Sequence, residues 1–109
     1  SYIFRRSADM NVRDYDPDTS AIAIPLEIFS AGLNMSELGL LTYLYGCKKN
    51  LTLSQLASYL YTSPYEVFKA LKTLMLRGYV VDSRIDISHH ACLDPTMPLE
   101  ITLTLPKDA

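Results

Sequence analysis

The sequence predicts a mainly α-helical domain that ends in a small antiparallel β-hairpin. Three capping signatures, in which Asn, Thr or Ser is followed three residues later by Glu or Gln, mark helix starts at Asn34, Thr52 and Ser63. Two runs in which apolar and polar residues alternate, 79–87 and 99–105, follow the last helix. Such alternation is typical of half-buried strands. The predicted order is therefore three helices and then two strands.

Length and composition indicate one ordinary globular domain. The chain has 109 residues, of which 49% are hydrophobic and 20% charged, and single domains commonly contain roughly 100 to 150 residues. No apolar run approaches the roughly 20 residues that span a bilayer, so we expect no membrane contact. Because the chain begins at Ser1 without a methionine, we expect it to be a domain of a longer protein.

Residues 1–20 are predicted to form an arm outside the domain. The aromatic and β-branched run 2–6 favours a short strand that pairs with a sheet edge or docks on the core. Residues 7–20 contain four aspartates and few apolar side chains, which is typical of an exposed linker. The domain itself is expected to occupy 21–105, with 106–109 as a tail.

Two helical segments are predicted before the central pair. The first lies within 21–32, where Pro25 opens it and Gly32 ends it. Its expected core residues are Ile22, Ile24, Leu26 and Phe29. The second runs from the cap at Asn34 to about Lys48. Its apolar residues at helical spacing are Leu38, Leu41, Leu44 and Tyr45.

The central pair of helices begins only eleven residues apart. One helix is expected from Leu53 to about Leu60, and a longer one from Pro64 to Arg77, where Gly78 acts as the C-terminal cap. Each carries one apolar stripe at helical spacing. The stripes are Leu53, Leu56, Ala57 and Leu60 in the first helix, and Val67, Ala70, Leu71 and Leu74 in the second. Small residues on both stripes predict a close helix crossing.

This order of elements resembles a winged helix-turn-helix domain. The matching pieces are LSQLASYL for the second helix, SPYEVFKALKTL for the recognition helix and RGYVV for the entry into the wing. The preceding PLEIFSAGLNMSELGLLTYLY is similar to the N-terminal domains of DnaD-type replication initiators of bacteria, phages and plasmids. One departure is Tyr61, which stands where the family commonly has glycine in the turn. It predicts backbone strain or a different turn.

The resemblance implies that the recognition helix lies in the major groove of duplex DNA and that the wing touches the backbone. The DNA-contacting residues it implies are Ser63, Tyr65, Lys69, Lys72 and Arg84. The two lysines would contact phosphate or guanine, and the other three would contact phosphate. Charge favours this assignment locally, because six basic side chains lie between Lys48 and Arg84 against two acidic ones. The whole chain has a net charge of -2, which argues against DNA.

The same helix also carries a second apolar stripe. Its members are Tyr65, Phe68, Met75 and Leu76. An exposed stripe of this kind is typical of a protein interface. It is equally compatible with the long wing or the 2–6 segment folding back over the helix, and both alternatives remain open at this stage.

Catalysis and metal binding are not expected. Cys47 and Cys92 lack paired spacing, and His89, His90 and Cys92 do not follow the ligand spacings of structural zinc sites. We therefore expect free thiols in a reducing, cytoplasmic compartment. No nucleophile motif, phosphate loop or paired carboxylates appear, so no enzyme, cofactor or small-molecule substrate is predicted.

Two functions follow from these observations. The first is a DNA-binding domain of a replication-initiation or transcription-regulatory protein, acting as a homo-oligomer and most simply as a dimer. The second is a winged helix that serves as an oligomerisation or protein-docking module with little DNA affinity.

Overall fold

The computed structural model describes residues 21–47, 49–82, 85 and 94–106. The predicted fold class is confirmed: three α-helices are followed by a two-stranded antiparallel sheet, an arrangement consistent with a winged helix. The helices are α1 (Met35–Gly46), α2 (Leu53–Tyr59) and α3 (Pro64–Leu76), and the strands are β1 (Val80–Asp82) and β2 (Ile101–Leu103). The predicted arm, 1–20, lies outside the described residues.

A short 3-10 helix over Leu26–Ser30 precedes α1. Of the four core residues predicted for segment 21–32, Ile24 is partly buried against the core and the other three were predicted wrongly. Only Ile28 within the 3-10 helix is buried. The predicted core residues that are instead exposed are Ile22, Leu26 and Phe29. A 3-10 helix has three residues per turn, so Ile28 shares its inward face with Pro25 and Ala31. Leu26 and Phe29 share an outward face for the same reason.

Helix α1 begins as predicted and ends earlier. Asn34 Oδ1 accepts a hydrogen bond from Glu37 N at 2.8 Å, and Asn34 N donates to Glu37 Oε1 at 3.1 Å, which is the complete capping box. The helix stops at Gly46 rather than near Lys48. Its buried residues are Leu40, Leu41 and Leu44, with Leu38 and Tyr45 partly buried beside them.

Caps also define the starts of α2 and α3. Thr52 and Gln55 exchange both bonds of a capping box, at 3.0 and 2.9 Å. Ser63 Oγ accepts from Glu66 N at 3.2 Å, so half of the predicted box is present there. The Glu66 carboxylate, predicted to bond back to Ser63, instead lies 3.6 Å from Lys69 Nζ.

Helix α3 ends in a glycine cap, as predicted. Gly78 has φ of 87°, its N–H donates to the carbonyl of Met75 at 3.2 Å, and Tyr79 N donates to the carbonyl of Leu74 at 2.9 Å. This pair of bonds is the Schellman motif, in which the residue after the C-cap takes a left-handed conformation that glycine adopts without strain.

Helix α2 ends in the same motif without a glycine. Tyr61 N donates to the carbonyl of Ser58 at 3.4 Å, and Thr62 N donates to the carbonyl of Ala57 at 2.9 Å. Tyr61 has φ of 58° and is the one non-glycine residue with positive φ in the described part of the chain. Of the two predicted consequences, strain or a different turn, the structure supports the first, because the tyrosine keeps the left-handed conformation of a glycine turn.

The sheet has the predicted antiparallel pairing. Val80 pairs with Leu103, and Asp82 pairs with Ile101. Strand β2 has three residues and is shorter than the alternating run 99–105 that predicted it. Of the run 79–87 the structure describes 79–82 and 85, with β1 over Val80–Asp82. The buried Asp82 carboxylate accepts a bond from Glu100 N at 2.8 Å and so joins the strand ends. Most of the connection between the strands lies outside the described residues.

A third segment joins the edge of the hairpin. Leu99 N donates to the carbonyl of Leu51 at 2.9 Å, and Thr52 forms an isolated antiparallel bridge with Pro98. The sequence pattern did not predict this pairing, because residues 50–52 have only the features of a segment that leads into α2. The pairing ties the start of α2 to the chain that enters β2.

One apolar core lies between the helices and the two-stranded sheet. Helix α3 packs against α1, α2 and β1. The largest fully buried side chains are Ile28, Leu41, Leu56, Leu71, Leu74, Leu99 and Val80. At the far end of α3, the Arg77 guanidinium donates to the carbonyls of Ala31 and Gly32, which holds the 3-10 helix against α3. None of the helices in the described residues has the length and apolar character needed to cross a bilayer.

Candidate nucleic-acid interface

The exposed side of α3 carries two lysines between two apolar residues. Tyr65, Lys69, Lys72 and Leu76 recur at intervals of four, three and four residues, which places them on one side of a helix. We call these four residues the α3 ridge. They lie opposite the buried stripe of α3, which consists of Val67, Ala70, Leu71 and Leu74. The helix is therefore held by one face and presents the other to solvent.

The lysines of the α3 ridge differ in their surroundings. Lys69 Nζ lies 3.6 Å from Glu66 Oε1 and 5.6 Å from the centre of the Tyr65 ring. Both side chains of this ion pair are substantially exposed, at 60% and 45%, and such pairs contribute little free energy. Lys72 is half-buried and forms no ion pair with the described residues. A phosphate group can thus engage either ammonium without breaking a strong interaction.

The N-terminus of α3 adds a hydroxyl and a helix dipole. Ser63 Oγ accepts a hydrogen bond from Glu66 N. The hydroxyl proton can still be donated to a group outside the domain. The positive end of the helix dipole lies at the same place, where anions bind favourably. Tyr65 stands beside it with 65% of its surface exposed.

Four of the five residues predicted to contact DNA therefore lie on one element and its cap. The structure brings Ser63, Tyr65, Lys69 and Lys72 to the exposed side of α3. The fifth, Arg84, lies outside the described residues.

The predicted second apolar stripe is divided in the structure. Tyr65 and Leu76 are exposed, at 65% and 64%. Phe68 and Met75 are partly buried and pack against the core. Phe68 and Met75 are seven residues apart, which places them on the same side of the helix, beside the α3 ridge and nearer the core. This is why they are buried more than Tyr65 and Leu76. The exposed apolar surface of α3 is consequently smaller than the sequence pattern indicated.

Tyrosines near the turn before α3 were not part of the predicted site. Tyr61 is 96% exposed, and Tyr59 stacks on Tyr43 with ring centres 6.3 Å apart. In the sequence, Tyr61 is distinguished only by standing where winged helix-turn-helix domains commonly have glycine. No periodic signal marks it as a surface group, because it belongs to a turn.

Other polar features lie away from α3. Hydrogen bonds from the Thr96 side chain and backbone lower the pKa of the Asp94 carboxyl, and burial with a nearby Glu27 charge raises the pKa of the Tyr45 phenol. Cys47 is a free thiol whose Sγ donates to the carbonyl of Lys49. In the described residues no cluster of His, Cys, Asp and Glu side chains is suited to hold a metal ion. His89, His90 and Cys92 lie outside them.

A groove of about 300 Å³ opens between the end of α1 and β2. Leucine and isoleucine side chains of the core form much of its wall, and Cys47, Lys49 and Asn50 stand at one side. It does not involve the α3 ridge.

The fold and this surface define a small helical domain with a β-hairpin and a lysine-bearing exposed helix. No protein-family model matches the chain, and comparisons with the curated proteins and with the solved structures give no match either.

Proposed function

We propose that this chain is a DNA-binding winged helix domain of a replication-initiation or transcription-regulatory protein. The observation that supports this most directly is the α3 ridge with Ser63 at its N-terminal end. One helix of a three-helix domain is packed by one face and offers lysines, a hydroxyl and a phenol on the other. An α-helix presented in this way fits the major groove of B-DNA.

In the proposed complex, α3 lies in the major groove with its N-terminal half toward the bases. Lys69 and Lys72 contact phosphate or guanine, and Ser63 and Tyr65 contact phosphate. Arg84, in the wing, contacts a neighbouring phosphate. Most of these contacts are to the backbone, so the domain relies on phosphate binding for affinity more than on base reading.

The finer proposal is a domain of the DnaD type, acting as a homo-oligomer in the cytoplasm and without enzymatic activity. It is based on the sequence resemblance described above, including the helical segment before α1. The structure adds a consistent element order, with the 3-10 helix at Leu26–Ser30 ahead of the three α-helices. A paired domain would place two α3 ridges on one duplex and thereby strengthen binding.

A duplex-binding titration at two salt concentrations tests the proposed function. Because each phosphate neutralised by a lysine or arginine releases counterions, the three cationic contacts of one domain predict that affinity falls about 40-fold between about 50 mM and about 200 mM monovalent salt. Fluorescence anisotropy of a labelled duplex measures this. An affinity that is absent, or that does not change with salt, contradicts the proposal.

The second candidate, a protein-docking or oligomerisation module, is favoured by the exposed apolar ends of the α3 ridge. Leu76 is 64% exposed and Tyr65 is 65% exposed. If this surface joins two copies, Leu76→Asp is expected to convert the oligomer to a monomer in multi-angle light scattering, since it buries a charge in the interface.

Leu76→Asp is a cleaner test than Phe68→Asp. Phe68 packs against the core, so aspartate there also destabilises the fold, whereas exposed Leu76 tolerates the change. Leu26→Asp on the 3-10 helix, at a side chain that is even more exposed, is the matched control. An unchanged mass for the Leu76 variant counts against an interface on α3.

A further inference from the structure

Two helices of this chain end in the same backbone motif with different residues at the same position. Gly78 holds the left-handed position after α3, and Tyr61 holds it after α2, with φ of 87° and 58°. In both motifs the next residue donates the backbone hydrogen bond that spans five residues and closes the Schellman motif, at 2.9 Å in each case. The chain thus supplies its own comparison between a glycine and a bulky residue at this position.

Tyrosine at this position carries backbone strain. In the left-handed region the Cβ atom approaches the following carbonyl oxygen, which disfavours every residue except glycine and, to a smaller extent, Asn and Asp. The hydrogen bonds of Tyr61 N to Ser58 and of Thr62 N to Ala57 impose the conformation. They are backbone bonds, so glycine would form them equally well.

The tyrosine side chain gains almost nothing within the described domain. It is 96% exposed, so packing offsets little of the strain. Strained residues persist where function needs them more often than elsewhere, and an observed outlier is a legitimate starting point for a functional hypothesis. Here the outlier lies in the turn directly before Ser63, the cap of α3.

We propose that Tyr61 contacts DNA, and that it binds the sugar-phosphate backbone at the edge of the groove that α3 enters. This inference rests on the proposed function and extends it to a residue outside the recognition helix. The phenol hydroxyl donates a hydrogen bond to a phosphate oxygen, and the ring lies against the adjacent sugar. Tyrosine is among the side chains that make such contacts. The left-handed backbone directs the side chain away from the domain, as its exposure shows.

Tyr61→Gly and Tyr61→Asn test this inference because stability and binding should change in opposite directions. Both residues relieve the strain, and glycine should raise Tm by about 4 to 8 °C. Both also remove the phenol, so duplex affinity should fall about three- to tenfold. Tyr61→Phe keeps the strain and the ring; it should leave Tm unchanged and still weaken binding. The asparagine variant shows that the loss does not come from the added flexibility of glycine.

Phe29→Asn is the matched control, since it removes an exposed aromatic ring from the 3-10 helix and should leave affinity unchanged. The inference is overturned if the wild-type protein binds duplex DNA with the expected salt dependence and Tyr61→Asn binds equally well. The inference is also overturned, in favour of a protein contact, if a Tyr61 variant changes the oligomeric mass and keeps the wild-type affinity for duplex DNA. Absence of duplex binding by the wild-type chain instead refutes the proposed function itself, so the two failures are distinguishable.

Discussion

Replacing both Lys69 and Lys72 with glutamate is expected to abolish binding to duplex DNA. Both lysines lie on the α3 ridge, and Lys69 is only weakly held by Glu66 at 3.6 Å. In the proposed complex, the double change removes two cations from the surface that faces phosphate and adds two anions, which the DNA backbone repels. Anisotropy titration of a labelled duplex at low salt measures the effect.

An alanine pair at the same positions separates lost contacts from added repulsion. Lys69→Ala with Lys72→Ala should reduce the slope of log affinity against log salt by about 2, because each phosphate contact contributes about 0.9. The single variants Lys69→Glu and Lys72→Glu have a matched control in Lys49→Glu, which changes net charge equally but lies before α2 and should therefore have a much smaller effect. Unimpaired binding by the double glutamate variant would rule out α3 as the DNA-facing helix. Oligomeric mass should not change in any of these variants.

Leu71→Ala is expected to lower the free energy of unfolding by about 3 to 4 kcal/mol, the usual loss for a leucine truncated in a packed core. Leu71 is completely buried on α3, the helix that packs against α1, α2 and β1. For a domain of this size the loss corresponds to a fall in Tm of about 12 to 32 °C. Denaturant unfolding followed by circular dichroism measures it.

Leu76→Ala on the same helix is the matched control. It removes the same atoms from a side chain that is 64% exposed, so the change should stay within about 0.5 kcal/mol. Similar losses for both variants would mean that α3 does not bury the face described here. If α3 enters the groove as proposed, Leu71→Ala should also weaken DNA binding at temperatures near its lowered Tm, because the helix must be folded to make its contacts.

The helix starts could be predicted from the sequence because capping is local. Asn34 and Thr52 each find their partner three residues away, a distance that helix geometry alone determines. The turn at Gly78 and the strand alternation before Leu103 are equally local. The core stripe of α3 was also predictable, since helical periodicity places its four members on one face.

Other features depended on tertiary structure. Periodicity could not show that residues 26–30 form a 3-10 helix, so it assigned Leu26 and Phe29 to the core while Ile28 is the residue that is buried. The bond from Leu99 to Leu51 joins residues far apart in the chain, and no local pattern encodes it. The partial burial of Phe68 and Met75 likewise depends on what packs beside α3.

The candidate site shows the same division. The sequence by itself determined that a capped helix from Pro64 carries Lys69 and Lys72 opposite an apolar stripe, because caps and helical spacing act within a few residues. Only the tertiary structure decided which apolar residues of that helix remain exposed, because exposure depends on neighbours distant in sequence. The left-handed conformation of Tyr61 belongs with the local features, because the bonds that hold it join Tyr61 to Ser58 and Thr62 to Ala57. Its exposure, in contrast, depends on what packs beside the turn and was decided by the tertiary structure.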